Sequence, residues 1–96
     1  MSDERDSFAH YRARMDALGF TPSSVLGQNF LLDPSLHRWI AEQAAPGPHD
    51  VVVEIGVGLG FLTRELAARA QRVVAVEIDA RLLQLAQEEL GHATNI

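Results

Sequence analysis

Near the start of the chain, Phe8, Tyr11, Met15 and Leu18 recur at intervals of three and four, which predicts a helix over residues 6–18. Gly19 follows as a C-terminal cap, and Thr21-Pro22 prevents continuation. Residues 23–32 show no period and read as a loop. Asp33-Pro34 pairs an N-cap side chain with proline at the first helical position. The helix it opens carries Leu36, Trp39, Ile40 and Ala44 on one face, with Trp39 expected in the core, and stops at Pro46-Gly47-Pro48. Residues 51–55, Val-Val-Val-Glu-Ile, form a β-branched run between turn signals and read as a buried strand. A glycine-rich turn over 56–60 leads into a helix over 61–70, on which Leu62, Leu66 and Ala70 lie four apart. A second buried strand is expected over 73–77. Asp79 then caps a last helix with Leu82, Leu83, Leu85, Ala86 and Leu90 facing the core and Gly91 as its stop.

The order is helix, helix, strand, helix, strand, helix. Continuous apolar strands joined by a helix predict an α/β fold built on a right-handed βαβ unit with a parallel sheet. Such strands need further strands or helices beside them, so the 96-residue chain by itself is expected to self-associate through open strand edges.

Composition narrows the class. Ninety-six residues fall at the low end of a single domain. With 47% hydrophobic and 22% charged residues, usage is that of an ordinary globular chain. No apolar run is long enough for a membrane span, and the acidic start Met1-Ser2-Asp3-Glu4 is not a secretory signal. There is no cysteine, which excludes disulfides and thiolate metal sites, and His10, His37, His49 and His92 lack metal-ligand spacing. A cytoplasmic protein without a metal is expected. All eight basic residues are arginines, and the net charge of −5 is a poor prior for binding a phosphate backbone. Arg12 and Arg14 read as an ordinary surface face rather than an RNA contact, and Glu42, Glu65, Glu88 and Glu89 as solvated helix faces.

The chemistry concentrates in Glu54-Ile55-Gly56-Val57-Gly58-Leu59-Gly60, placed between a strand and a helix where a nucleotide-binding turn belongs. Glycines there accept positive φ and let the backbone approach a ligand that a Cβ would obstruct. A second strand-end acid, Glu77, stands 21 residues after Gly56. In a doubly wound sheet a carboxylate at that tip can accept both hydroxyl hydrogens of a ribose. Adenosine at the carboxyl ends of the strands is the first functional inference. Phe61 occupies the position of the third glycine in the dinucleotide fingerprint, and no Gly-Lys-Ser/Thr follows for a P-loop.

The acid-x-Gly-x-Gly-x-Gly pattern resembles the first motif of S-adenosylmethionine-dependent methyltransferases. Together with Leu26-Gly27-Gln28-Asn29-Phe30-Leu31-Leu32-Asp33 upstream and Val76-Glu77-Ile78-Asp79 downstream, it resembles the ribosomal RNA adenine dimethyltransferases. Leu62-Thr63-x-x-Leu66 and Arg81-Leu82-Leu83 match as well, so the likeness covers about residues 19–90. Gly27 before Gln28 leans toward the small-subunit branch. The resemblance implies a Rossmann-like fold, S-adenosyl-L-methionine as cofactor, and small-subunit ribosomal RNA as partner in ribosome biogenesis. It implies that Asn29 and Leu31 meet the methionine end of the cofactor, that Gly56 lies along it, and that Glu77 holds its ribose. Gln28, Glu54, Gly58 and Gly60 are weaker candidates, and Phe30 is either core or lid. Taken without the family, Asn29 would read as a loop asparagine forming an Asx turn.

Two positions depart from the pattern. Val57 stands where proline is common, and Ser23-Ser24-Val25 where basic residues usually precede the loop. The family's Asn-Leu-Pro-Tyr catalytic motif does not occur in these residues, so no catalytic residue is assigned. The expected reading is the N-terminal piece of a dimethyltransferase, with residues 1–20 as a helical extension and 21–96 as part of the cofactor-binding domain. A nicotinamide-dependent oxidoreductase fragment and a non-catalytic binding module are the alternatives.

Overall fold

The computed structural model describes residues 8–19 and 34–96. Among the described residues four helices and two strands follow in the order α1 (Phe8–Ala17), α2 (Pro34–Ala44), β1 (Val51–Ile55), α3 (Phe61–Ala67), β2 (Arg72–Val76) and α4 (Ala80–Leu90). The strands pair in parallel, with Val52 beside Val73 and Glu54 beside Ala75. This is the expected βαβ unit and the small parallel sheet of a Rossmann-like α/β fold.

Because strand side chains alternate between faces, the register splits the sheet into two sides. Val52, Glu54, Val73 and Ala75 face the helices. Leu62, Leu66 and Ala67 of α3, with Ala70 beyond it and Ala41 of α2, pack on Val52 and Val73. Ala86 and Leu90 of α4 pack with Val57 on Ala75. Met15 of α1 joins Leu59, Phe61, Leu82 and Leu85 in a further cluster, with Leu18 against it. Burying a leucine such as Leu85, fully enclosed here, is worth about 1.5–3 kcal/mol. The opposite side differs from the expectation of strands buried on both faces: Val51, Val53, Ile55, Val74 and Val76 are exposed, because all the described helices that touch the sheet lie on the other side.

Four element-level expectations are revised. Trp39 is 56% exposed, and the inward face of α2 is carried by His37 and Ala41 with Leu36 and Ile40 half-buried. The small Ala41 lets α2 approach α3, and the His37 ring meets that of Phe61 at 5.2 Å. This rotation leaves Ala44 exposed. Helix α3 ends at Ala67 rather than 70, where the Asn95 amide donates to the carbonyls of Ala67 at 2.8 Å and Ala70 at 3.3 Å. Strand β2 starts at Arg72 and its pairing ends at Val76, so Glu77 projects just beyond the ladder.

Glu65 and Glu89 are half-buried rather than solvated. Glu65 pairs with Arg69 at 2.9 Å, and Arg14 pairs with Glu88. Arg14 thus takes part in an ordinary surface pairing.

Candidate functional site

The turn after β1 is built by alternation. Val57 and Leu59 are buried in two separate apolar clusters and anchor the turn to the helices. Between them, Gly56, Gly58 and Gly60 have φ of 83°, 59° and 83°, a region that other residues seldom occupy. Gly56 extends the ladder by donating its N–H to Val76 O at 2.8 Å, and Gly60 donates to Val57 O at 3.0 Å. A Cβ at Gly56 would meet no atom within 4 Å, so its backbone borders open space. Gly60 is different: it is buried, and a Cβ there would strike Leu90 Cδ1 at 2.9 Å. Gly60 serves the packing of α3 against α4.

Glu77 stands across from the turn. Its Oε1 accepts the Gly58 N–H at 2.9 Å and its Oε2 accepts the Asp79 N–H at 3.0 Å. Two backbone donors therefore aim the carboxylate, and an ionised carboxylate with about four lone-pair sites retains capacity for further donors. Asp79 caps α4 as expected, accepting from the N–H groups of Arg81 and Leu82. Arg81 in turn donates to Gly19 O at 2.9 Å, which fastens the end of α1 beside the start of α4. Gln28, Asn29, Phe30 and Leu31, on the following segment, lie outside the described residues, as do Ser23 and Ser24.

Glu54 lies beneath the turn rather than on its open side. It is buried on the helix-facing side of β1, and its Oε1 accepts the hydroxyl hydrogen of Thr63 at 2.5 Å. Burial raises its carboxyl above the ordinary 4.5; the Thr63 hydrogen bond opposes that rise and the charge of Glu77 adds to it. The sequence reading missed Thr63 as a partner. Its signal was a hydroxyl residue on the inward face of a helix one turn after the glycines.

The structure thus brings together Gly56, Gly58 and Glu77 at the carboxyl ends of the strands, with Glu54 and Gly60 behind them. An exposed glycine backbone facing an aimed carboxylate can receive a flat, hydroxyl-bearing ligand such as a nucleoside.

Residues 19–96 match the family model for ribosomal RNA adenine dimethylase. The chain belongs to that family. It is 51% identical over 78 residues to a ribosomal RNA small subunit methyltransferase A of Moorella thermoacetica, and 49% identical over 83 residues to one of Deinococcus radiodurans. These alignments cover 81% and 86% of this chain but 27% and 28% of the relatives. Among solved structures, the 23S rRNA methyltransferase ErmE matches with a TM-score of 0.67 and 47% identity, over 71% of this chain and 28% of that one. A dimethyladenosine transferase from Plasmodium falciparum matches with a TM-score of 0.64 and 29% identity, over 70% and 26%. The chain therefore spans little more than a quarter of the length of these dimethylase-family relatives. Membership implies a methyl donor in general terms. Among the described residues no helix is long and apolar enough to cross a membrane.

Proposed function

We propose that this chain is the cofactor-binding N-terminal part of an S-adenosylmethionine-dependent dimethyltransferase acting on adenines of small-subunit ribosomal RNA in the cytoplasm. The observation that carries the reading is the Glu77 carboxylate, aimed by Gly58 and Asp79 toward the open glycine turn. The residues present fit the cofactor: open space at Gly56 leaves room for its approach, and the carboxylate supplies acceptors for a ribose diol. On this reading residues 21–96 belong to the cofactor domain, and residues 1–20, which carry α1 at Phe8–Ala17, extend it at the N-terminal side.

When bound, S-adenosylmethionine supplies an electrophilic methyl group for the exocyclic amine of adenine. The residues of this chain position it. Glu77 would accept from the ribose hydroxyls and hold the nucleoside end. Gly56 and Gly58 admit it to the strand tips. By the family resemblance Asn29 and Leu31 are assigned to its methionine end, with Gln28 a weaker candidate for the cofactor; an amide such as that of Asn29 can donate to a carboxylate and accept from an ammonium. Transfer of this kind depends on alignment more than on a strong base. The target adenine is held by residues outside the 96, so these alone are expected to bind cofactor without methylating RNA.

The small-subunit assignment follows the relatives from Moorella and Deinococcus, whose names specify that subunit. The likeness to the 23S enzyme makes large-subunit RNA the competing substrate. The test is methyl transfer from radiolabelled S-adenosylmethionine by the full-length protein, offered unmodified small-subunit and large-subunit RNA separately. Label in small-subunit adenines supports the reading. Label only in large-subunit RNA overturns the substrate, and failure to bind the cofactor by calorimetry overturns the function.

A further inference from the structure

Glu54 occupies the fourth position of β1 and points to the helix-covered side of the sheet, where Val52 and Val73 are apolar. Packing alone would be served by another valine, since burying a carboxylate is costly unless it is hydrogen-bonded. Its partner is Thr63, fully buried in the first turn of α3. The two are nine positions apart, and the whole glycine turn lies between them. The hydrogen bond therefore closes a ring around the turn, with one end on the sheet and the other on the helix.

A turn with three glycines has more backbone freedom to lose than one built from residues that carry side chains. Val57 and Leu59 pin its middle, and Leu62 and Leu66 pack α3 on Val52. The Glu54–Thr63 bond adds a directional tie between the end of β1 and the first turn of α3.

We propose that Glu54 and Thr63 are positioning residues that hold the glycine turn in its cofactor-receiving shape, with Glu54 acting through Thr63 and not by touching the cofactor. This rests on the S-adenosylmethionine reading above. It separates Glu54 from Glu77: Glu54 acts only on the shape of the cradle, whereas Glu77 both fastens the turn and contacts what lies in it.

Substitutions distinguish a brace from a ligand. Glutamine at 54 keeps a carbonyl acceptor for the Thr63 hydroxyl but loses the charge that would attract a cofactor ammonium. Valine at 63 keeps the shape of threonine without its donor, and serine keeps the donor. In the full-length protein, two readouts are needed: calorimetric S-adenosylmethionine affinity, and amide hydrogen exchange over residues 56–60 without ligand. Glu54→Ala and Thr63→Val should each weaken binding about tenfold, as expected for losing one buried charge-assisted hydrogen bond. Both should speed exchange in the turn, and the double variant should be little worse than either alone. Glu54→Gln and Thr63→Ser should restore affinity and exchange to near wild type. If Glu54→Ala fails to fold, the Thr63→Val and Thr63→Ser pair carries the comparison.

Equal losses from Glu54→Gln and Glu54→Ala, with Thr63→Val binding normally, would overturn the proposal and make Glu54 a direct ligand. Wild-type affinity and exchange in Thr63→Val would reduce the bond to packing. If the wild-type protein binds no S-adenosylmethionine, the function reading fails, while the exchange arm still reports whether the brace exists.

Discussion

Gly58 donates its backbone N–H to Glu77 Oε1 at 2.9 Å, joining the glycine turn to the end of the second strand across 19 residues. The same carboxylate takes the Asp79 N–H on its other oxygen, so the turn, β2 and the cap of α4 meet at one side chain. Removing it should both unfasten the turn and take away the ribose acceptor. We expect Glu77→Ala to weaken S-adenosylmethionine binding about tenfold to a hundredfold, which corresponds to roughly 1.5–3 kcal/mol for a charged hydrogen-bond partner. Glu77→Gln should also bind poorly, because its amide nitrogen would face one of the two backbone donors. Unchanged affinity by calorimetry in both variants would remove the ribose assignment.

The three glycines should respond differently. Valine at Gly56 or Gly58 is β-branched and would be forced to positive φ, a strained conformation for such a residue. At Gly56 its side chain would also fill the open space beside the backbone. Both variants should lose cofactor binding while far-UV circular dichroism retains most of the helix signal. Gly60→Ala should act on stability, since the new methyl collides with Leu90. A lowered Tm is expected there. Wild-type titrations for both Gly56→Val and Gly58→Val would make the turn purely structural.

The burial of Glu54 predicts a dependence on pH. Its carboxyl is raised above 4.5 by desolvation, against the Thr63 hydrogen bond and with help from the Glu77 charge. The folded chain therefore keeps this proton at pH values where the unfolded chain has released it. Stability from the group is fully present below 4.5 and is lost as pH rises through the elevated folded value. Glu54→Gln does not titrate at 54. Its stability relative to wild type should rise across that window and level off above it. Urea midpoints at a series of pH values read this directly, and parallel curves for the two proteins would contradict it.

How much of this was legible in the sequence depends on how local the cause is. Val51–Ile55, the glycine turn and the Asp79 cap were readable because each is decided by a few neighbouring residues. Trp39 was misplaced because a helical period defines a stripe but not which side meets the partner; that choice was made by the small Ala41 against α3. The early end of α3 depends on Asn95, 28 residues beyond Ala67, and no local pattern announces it. In the site, Glu77 was singled out by type and spacing, and the structure places it across from the glycine turn. Its donors, two backbone N–H groups, carry no side-chain signature. Glu54 was read as a weaker ligand candidate, and its neighbours in sequence did not reveal that Thr63 would lie against it.

Asn95 offers a separate test of the fold. Its amide nitrogen bridges the carbonyls of Ala67 and Ala70, which the end of α3 leaves without helical partners, while its own carbonyl accepts the Val73 N–H at 2.8 Å. Asn95→Ala keeps the backbone bond and removes the amide donor. A loss of about 1–2 kcal/mol is expected, seen as a shift in denaturation midpoint. Asn95→Asp should cost more, because a carboxylate would face two carbonyl oxygens. Equal midpoints for wild type and Asn95→Ala would mean that water caps α3 as well as the side chain does.

The uncovered side of the sheet leads to a last expectation. The register sets Val53 beside Val74 and Ile55 beside Val76, so their side chains form one continuous apolar surface, with Val51 at one end. Ile55 is 82% exposed, and Ile78, beyond the strand, is 94% exposed. Parallel sheets are normally covered on both faces, and a two-stranded sheet is marginal in water. The Val73 N–H on β2 is met by Asn95 O, which occupies only part of that edge. The 96-residue chain by itself should therefore associate with further copies, through this face and the strand edges. Light scattering at micromolar concentration should detect a dimer or larger species. Ile55→Arg, at the most exposed strand position of this surface, should shift the population toward monomer without unfolding the chain, whereas association by strand edges alone would leave the distribution unchanged. A concentration-independent wild-type monomer with cooperative unfolding would show that the open sheet is stable in water without a partner, and the argument from uncovered apolar surface would fail.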